Sequence, residues 1–240
     1  MKALPLLIAL LATGCAARQT TVRTRPAVIV ISDIDDTIKD TRVVKETTNR
    51  HGAATYRKDY AHLAGDPFRK WQPVDGMAAR YRAWSRQGPV EFIYLSKGPW
   101  FYHPRVSRFL RANHFPGGRV ALNPCFPITP GGYKTGPIRR IIRAHPGSSF
   151  VLVGDSGEDD PEVLVRIAAQ FPRNVRHVFI RNVTPRQPPA RLAAAFALLP
   201  HARWQIFTAA RQLPMFPAKT GETSWYYHLT GVRCAPYGTQ

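Results

Sequence analysis

Acidic residues are scarce in this 240-residue chain: 15 Asp and Glu stand against 34 Lys and Arg, giving a net charge of +19. An excess that large favours polyanionic partners: phospholipid head groups, nucleic acid or phosphorylated small molecules. Cysteine is nearly absent as well, with three residues, which limits any disulfide framework to a single bridge. The apolar run at the start, Ala3 to Ala12, is too short to span a bilayer. There is no internal repeat and no low-complexity tract. What is present, 44% hydrophobic and 20% charged residues, suits a packed globular protein. The length fits one large domain, or one domain with an insert.

The start reads as an export signal. Met1-Lys2 supplies the positive end, Ala3 to Ala12 the apolar stretch, and Leu11-Ala12-Thr13-Gly14-Cys15 the small-residue close. The pattern resembles the lipobox of bacterial lipoproteins, which implies cleavage after Gly14 and a lipid on Cys15; an ordinary signal peptide with an incidental Cys15 is the alternative. The implied location is a bacterial membrane, at the outer membrane or the periplasmic face in a diderm cell. Residues 16–26 are polar and basic and read as a tether. Cys125 and Cys234 would then form one disulfide or stay as two buried thiols.

From Ala27 onward short apolar runs alternate with amphipathic stretches. Ala27–Ile34, Val90–Leu95, Arg119–Leu122, Phe150–Val153 and Val175–Ile180 are continuous and rich in β-branched residues, as expected of strands buried on both faces of a parallel sheet. Between them the spacing predicts helices over Gly76–Arg86, Pro104–Asn113, Pro137–Ala144 behind a cap-like Thr135, and Pro161–Gln170 capped by Asp160. The alternation predicts a doubly wound α/β fold with a mainly parallel sheet. Residues 38–72 form a polar insert with eight Lys/Arg and four acids, read as a small cap or an ordered loop over the site. The catalytic domain spans 27–184. Residues 185–240 read as an extension packed on it, with a helix over Ala190–Leu199 and a strand near Trp204–Phe207.

Eight of the 15 acids fall in two short clusters. Ser32-Asp33-Ile34-Asp35-Asp36-Thr37 holds three, and Gly154-Asp155-Ser156-Gly157-Glu158-Asp159-Asp160-Pro161-Glu162 holds five. Each starts at the carboxyl end of a predicted buried strand, the edge where open α/β sheets bind ligands. Carboxylates that repel one another are costly to gather without a cation between them. An all-oxygen donor set suits a hard ion, Mg2+ first. A third strand end leads into Ser96-Lys97-Gly98-Pro99-Trp100, where a hydroxyl and backbone N–H groups can cradle a phosphate. Lys134 can neutralise a phosphoryl oxygen.

These four pieces, in this order, resemble the motifs of the haloacid dehalogenase-like phosphatases. More narrowly, Ser32 to Lys39, Tyr94-Leu95-Ser96 with Pro99-Trp100, and Gly154 to Glu158 with Asp160-Pro161-Glu162 resemble the catalytic domain of the actin-patch-associated phosphatidate phosphatases. Asp36 stands where the wider superfamily often has glycine, and the narrower family shares the Asp-Asp pair. The resemblance implies an Mg2+-dependent phosphomonoester hydrolase with Asp33 as nucleophile and Asp35 as general acid and base, the latter kept partly neutral. It implies Mg2+ held by Asp33, the Asp35 backbone carbonyl and Asp155, with Asp159 a more distant or water-mediated partner of the ion. Ser96 and Lys134 would hold the phosphoryl group, and Thr37 would fix the loop. Asp160 and Glu162 are left to the helix start.

The substrate implied is a lipid phosphate such as phosphatidate, met at an anionic membrane surface. Two alternatives stand: an exported phosphatase of soluble nucleotides or sugar phosphates, and a catalytically inactive basic binding protein. No specific nucleic acid is expected, because basic residues are not interleaved with stacking aromatics.

Overall fold

A computed structural model describes residues 28–42, 44–48, 54–58, 70–125, 133–184 and 190–215. The segments read as an export signal and a tether, with Cys15 and Cys234, lie outside the described residues, as does much of the insert; Cys125 is a free, exposed thiol.

The chain opens with β1 (Val28–Asp33), six residues of which five are buried. Three further parallel strands follow the expected apolar runs: β6 (Val90–Pro99), β7 (Gly118–Asn123) and β8 (Ser149–Asp155). β9 (Val175–Arg181) and β10 (Trp204–Phe207) complete a six-stranded sheet of order β10-β9-β8-β1-β6-β7, and every pairing in it is parallel. The strand near Trp204 is thus a full member of the sheet, so the described residues 190–215 continue the same fold.

Alternation along the strands divides the core into two layers. Val30, Phe92, Tyr94, Val151 and Val153 face one side, where α1 (Met77–Ser85) and α2 (His103–Ala112) cover them. Ile29, Ile31, Ile93, Leu95, Phe150 and Leu152 face the other, beneath α3 (Thr135–Ala144), α4 (Asp160–Gln170) and α5 (Ala190–Phe196). This is the doubly wound α/β architecture expected of the sequence, with continuous apolar strands because both faces are covered. Among the described residues, no helix is long and apolar enough to cross a membrane.

The first layer is aromatic. Tyr81 stacks on Trp84 at 5.2 Å between centroids and meets Phe92 at the same distance. Trp84 is fully buried, and its Nε1 donates to the Pro214 carbonyl at 2.8 Å. That bond, with Arg80 Nε donating to the Ala210 carbonyl at 3.2 Å, ties the end of the described chain to α1. The close contact shapes the start of α1: Gly76 has φ +73, and a Cβ there would stand 3.1 Å from the Ala210 Cβ.

Two helix starts differ from expectation. α3 begins at Thr135 itself, behind Lys134, and α4 begins at Asp160, behind Asp159; neither start has a side-chain cap bond. Lys134 and Asp160 make no cap because both turn inward to each other. The insert contributes an antiparallel pair of β2 (Lys39–Asp40) with β5 (Gln72–Pro73) and a hairpin of β3 (Val44–Thr48) with β4 (Ala54–Lys58).

Trp84→Ala removes both the ring at the centre of this layer and its bond to Pro214. It is expected to lower unfolding free energy by about 3–5 kcal/mol in urea titration. A loss below about 1 kcal/mol would show that α1 and residues 210–215 are held together by other contacts.

Candidate active site

β1 lies at the middle of the sheet. The chain runs outward from it through β6 and β7, then crosses back to lay β8, β9 and β10 on its other side. The direction of winding reverses between β1 and β8, and in such sheets the carboxyl ends at that reversal frame a crevice. Asp33 is the last residue of β1 and Asp155 the last of β8. On the other flank Asp33 is in register with Leu95, which places Ser96 one residue beyond it.

Lys134 joins these strand ends. Its Nζ donates to Asp33 Oδ1 at 2.6 Å and to Asp160 Oδ1 at 2.5 Å, with all three side chains essentially buried. Asp160 Oδ2 faces the Asp155 N–H at 3.4 Å, and Asp155 Oδ1 accepts from the Gly157 N–H at 2.5 Å. Thr37 Oγ1 donates to Asp33 Oδ2 at 3.0 Å, so both oxygens of Asp33 are fixed. Gly154 permits the approach of α4 to β8, because a Cβ there would stand 2.5 Å from Asp160 Oδ2.

Carboxylate oxygens of Asp33, Asp155 and Asp160 lie within 4.8 Å of one another. Three buried carboxylates against one ammonium leave the pocket short of positive charge. Burial, reinforced by Asp160 and Asp155 and only partly opposed by Lys134, pushes Asp33 well above the usual carboxylate range. Burial, with Asp160 beside it, pushes Asp155 up to about 8. Burial by itself would lower Lys134, but Asp160 and Asp33 hold its ammonium well above its ordinary value. Carboxylates driven upward by mutual repulsion, in an all-oxygen donor set, fit a divalent cation.

Asp35 sits in a different field. Burial raises its carboxyl, but Lys39, by charge and by hydrogen bond, and Ser96, by hydrogen bond, bring it below its ordinary value. Lys39 Nζ donates to Asp35 Oδ1 at 2.9 Å, and Ser96 Oγ donates to Asp35 Oδ2 at 2.9 Å. The expectation of a partly neutral Asp35 is therefore corrected: the ammonium beside it favours the charged form. Lys39 is itself buried, with its Nζ 3.9 Å from the Trp71 ring centroid.

Asp36 has turned away. Its φ is +57, in the left-handed region where glycine is at ease, and its Oδ1 accepts from Thr41 N at 3.0 Å and Thr41 Oγ1 at 2.7 Å. Its carbonyl accepts from Arg181 Nη1 at 2.6 Å. The third aspartate of the first cluster thus shapes the turn that presents the other two.

In the second cluster the structure reassigns one residue and places another. Asp160, read from sequence as a helix cap, is fully buried against Lys134 and forms the three-carboxylate group with Asp33 and Asp155. The Asp35 backbone carbonyl was the atom expected to join the metal ligands; the Asp35 carboxylate turns to Lys39 and Ser96. Asp159 pairs with Lys97, which also meets Glu158 at 3.0 Å. Sequence reasoning gave Asp160 and Lys39 no role at the site. The signal for Asp160 was the acid beside a proline at a helix start; Lys39 lay inside the first motif but carried no chemical pattern of its own.

A doubly wound α/β domain with paired aspartates, a lysine and a serine at its winding reversal presents a donor set suited to a phosphorylated ligand. Residues 28–182 match the family described as phosphatidate phosphatase APP1, catalytic domain, and the chain belongs to that family of phosphatase domains. The phosphatidate phosphatase APP1 of Saccharomyces cerevisiae is 31% identical over 159 residues, covering 63% of this chain and 25% of that protein. An uncharacterized protein of Schizosaccharomyces pombe is 30% identical over 171 residues, covering 66% of this chain and 26% of its own length. This chain spans about a quarter of the length of the curated relatives it matches. No solved structure matches it.

The raised Asp155 carboxyl has a consequence for stability. An acid whose folded pKa exceeds its unfolded value binds its proton more tightly when folded, so its contribution is complete below about 3.8 and is lost as pH climbs through about 8. In chelator the melting temperature is expected to fall between about pH 4 and pH 8, and Asp155→Asn to flatten that fall. A wild-type profile that is flat or rising across this window would contradict the charge balance drawn for the pocket.

Proposed function

We propose that the chain is a phosphomonoester hydrolase that works through an aspartyl-phosphate on Asp33 and acts on a lipid phosphate, phosphatidate being the first candidate. The observation that carries this reading is the fixed position of Asp33, held by Lys134 and Thr37 at the carboxyl end of the central strand, in a member of a phosphatase catalytic-domain family.

Asp33, Asp155 and Asp160 would hold a divalent cation, Mg2+ in this reading, which when bound supplies positive charge against the anionic phosphoryl group. The remaining steps belong to the chain. The Asp33 carboxylate attacks phosphorus as the bond to the leaving oxygen breaks. Lys134 keeps the attacking carboxylate oriented and offsets charge around it. Ser96 Oγ, beside the Gly98 N–H at 2.9 Å, can pass its hydrogen bond from Asp35 to a phosphoryl oxygen. Losing that bond, with an anionic phosphate alongside, raises the Asp35 carboxyl toward the protonated form the leaving oxygen needs. Having given up its proton, Asp35 returns to the charged state that Lys39 favours and takes a proton from the water that hydrolyses the acyl-phosphate. Phosphate departs and the Asp33 carboxylate is restored.

The lipid reading draws on the family's named activity and on the excess of positive charge, which attracts the chain to anionic surfaces. We further propose that the chain is exported and tethered through a lipid on Cys15. That proposal rests on the sequence of the first 15 residues.

Asp33→Asn is expected to lower phosphate release by about 10^3-fold or more with the fold retained by circular dichroism. Chelator should stop the wild type, and Mg2+ should restore it. Near-wild-type release by the folded variant would sink the covalent route. In the same assay phosphatidate should be hydrolysed faster than nucleotides and sugar phosphates. The reverse order would move the assignment to soluble phosphomonoesters.

Cells producing the wild-type chain should incorporate a fatty-acid analogue into it, and the Cys15→Ser variant should take up none. Equal labelling of both would remove the anchor.

A further inference from the structure

The surface beside the site is built unlike the rest of the chain. After Ser96, β6 ends in a rigid turn, Trp100–Tyr102, at the same edge as Asp33 and Asp155. Trp100 is 60% exposed and Phe101 48% exposed. The two rings meet edge to face at 6.0 Å, and Phe101 lies 5.2 Å from Tyr102. Tyr102 anchors the turn inward, 6.1 Å from Trp71. Two large aromatic side chains are thus held outward on a short, braced turn, four residues beyond the serine of the site.

The stretch of sequence that carries this turn has charge of one sign. Between Glu91 and Asp155 the sequence contains no Asp or Glu and nine Lys and Arg. α2, which starts immediately after the turn, presents exposed Arg108 and Arg111. Acids do stand on this edge at Glu158 and Asp159, but Lys97 pairs with both. An anionic surface approaching the carboxyl edge therefore meets two aromatic rings, with Arg108 on the helix behind them and, among the described residues, Lys97 paired with the nearest acids. Tryptophan favours the interface of a bilayer, where its ring is apolar and its N–H is wet, and basic residues beside it are drawn to anionic lipid.

We propose that the Trp100–Phe101 turn is an interfacial docking wedge that seats the carboxyl edge of the sheet on an anionic lipid bilayer. It would place Asp33 over the head-group layer, where a lipid phosphate needs little displacement to reach it. This use of the wedge rests on the lipid-phosphate reading; the docking itself does not. A tether on Cys15 would only keep the domain near a membrane, whereas the wedge sets which face meets it.

The test uses the full chain, with vesicles of brominated phosphatidylcholine and phosphatidylglycerol as the probe. Bromine quenches tryptophan only at bilayer depth, so the difference between wild type and Trp100→Phe reports this ring whether or not a tether holds the protein. Quenching should be reduced by at least about half in Trp100→Phe, and should weaken in both proteins as salt is raised. A second variant, Phe101→Glu, should lower hydrolysis of phosphatidate in vesicles at least about tenfold, while hydrolysis of a water-soluble phosphomonoester stays within about twofold of wild type. Equal quenching of wild type and Trp100→Phe overturns the wedge. So does an equal loss on both substrates, which would make the turn part of the fold or the site. If the wild type ignores phosphatidate in every form, the lipid reading fails, and the quenching difference still decides the docking.

Discussion

One buried ammonium organises this molecule. Lys134 reaches Asp33 on β1 and Asp160 on α4, and Asp160 in turn faces the backbone of Asp155 on β8. Removing one partner from such a cluster strands the charges left behind, at a cost of about 3–5 kcal/mol. The elements that meet here come from the middle of the sheet and from the helix that follows β8, so the charge pattern and the winding of the sheet specify the same arrangement. Gly154 shows how closely the two are linked. Its missing Cβ is what allows Asp160 to approach, so the spacing of β8 and α4 is set by the site as much as by the core.

The strands were legible because burial on both faces leaves an unbroken apolar record, and β1, β6, β7, β8 and β9 lie where that record is strongest. Helix starts were less legible. Proline, threonine and aspartate at a helix start ordinarily signal a cap, and at Thr135 and Asp160 the local signal was overridden by the tertiary pull of Lys134 and Asp160 on each other. β6 ran past its apolar stretch to Pro99 for a related reason: the polar Ser96-Lys97-Gly98 continues the ladder at the sheet edge with an irregular register. Apolar patterning carries no information about a strand that ends in site residues.

Of the site itself, sequence located both acid clusters, Ser96 and Lys134, since acids concentrated at strand ends in an acid-poor chain stand out. It did not separate the three aspartates of the first cluster by environment. Asp33 looks into the pocket, Asp35 toward Lys39 and Ser96, and Asp36 back into its own turn. Adjacent residues in a turn diverge in direction, and composition is blind to that. Lys39 was also invisible as a functional group, because one lysine in a basic chain carries no signal until its partners are known.

The two working aspartates are displaced in opposite senses, and the displacement follows from where the cations stand. Asp33 shares one lysine with two other buried carboxylates, so desolvation and repulsion win and its carboxyl rises. Asp35 has Lys39 beside it, by charge and by hydrogen bond, and a hydroxyl besides, so attraction wins over burial and its carboxyl falls. Pairs of titratable groups pushed apart in this way divide the labour of a reaction between them. Asp33 lies in a pocket that an added cation would stabilise, returning the carboxyl to the charged form the proposed nucleophile requires. Asp35 begins charged and is held by interactions that an arriving phosphate disrupts. In the proposed mechanism each carboxyl would therefore be drawn toward its reactive state by a component of the reaction itself: Asp33 by the cation that would balance its pocket, Asp35 by the anion it would protonate.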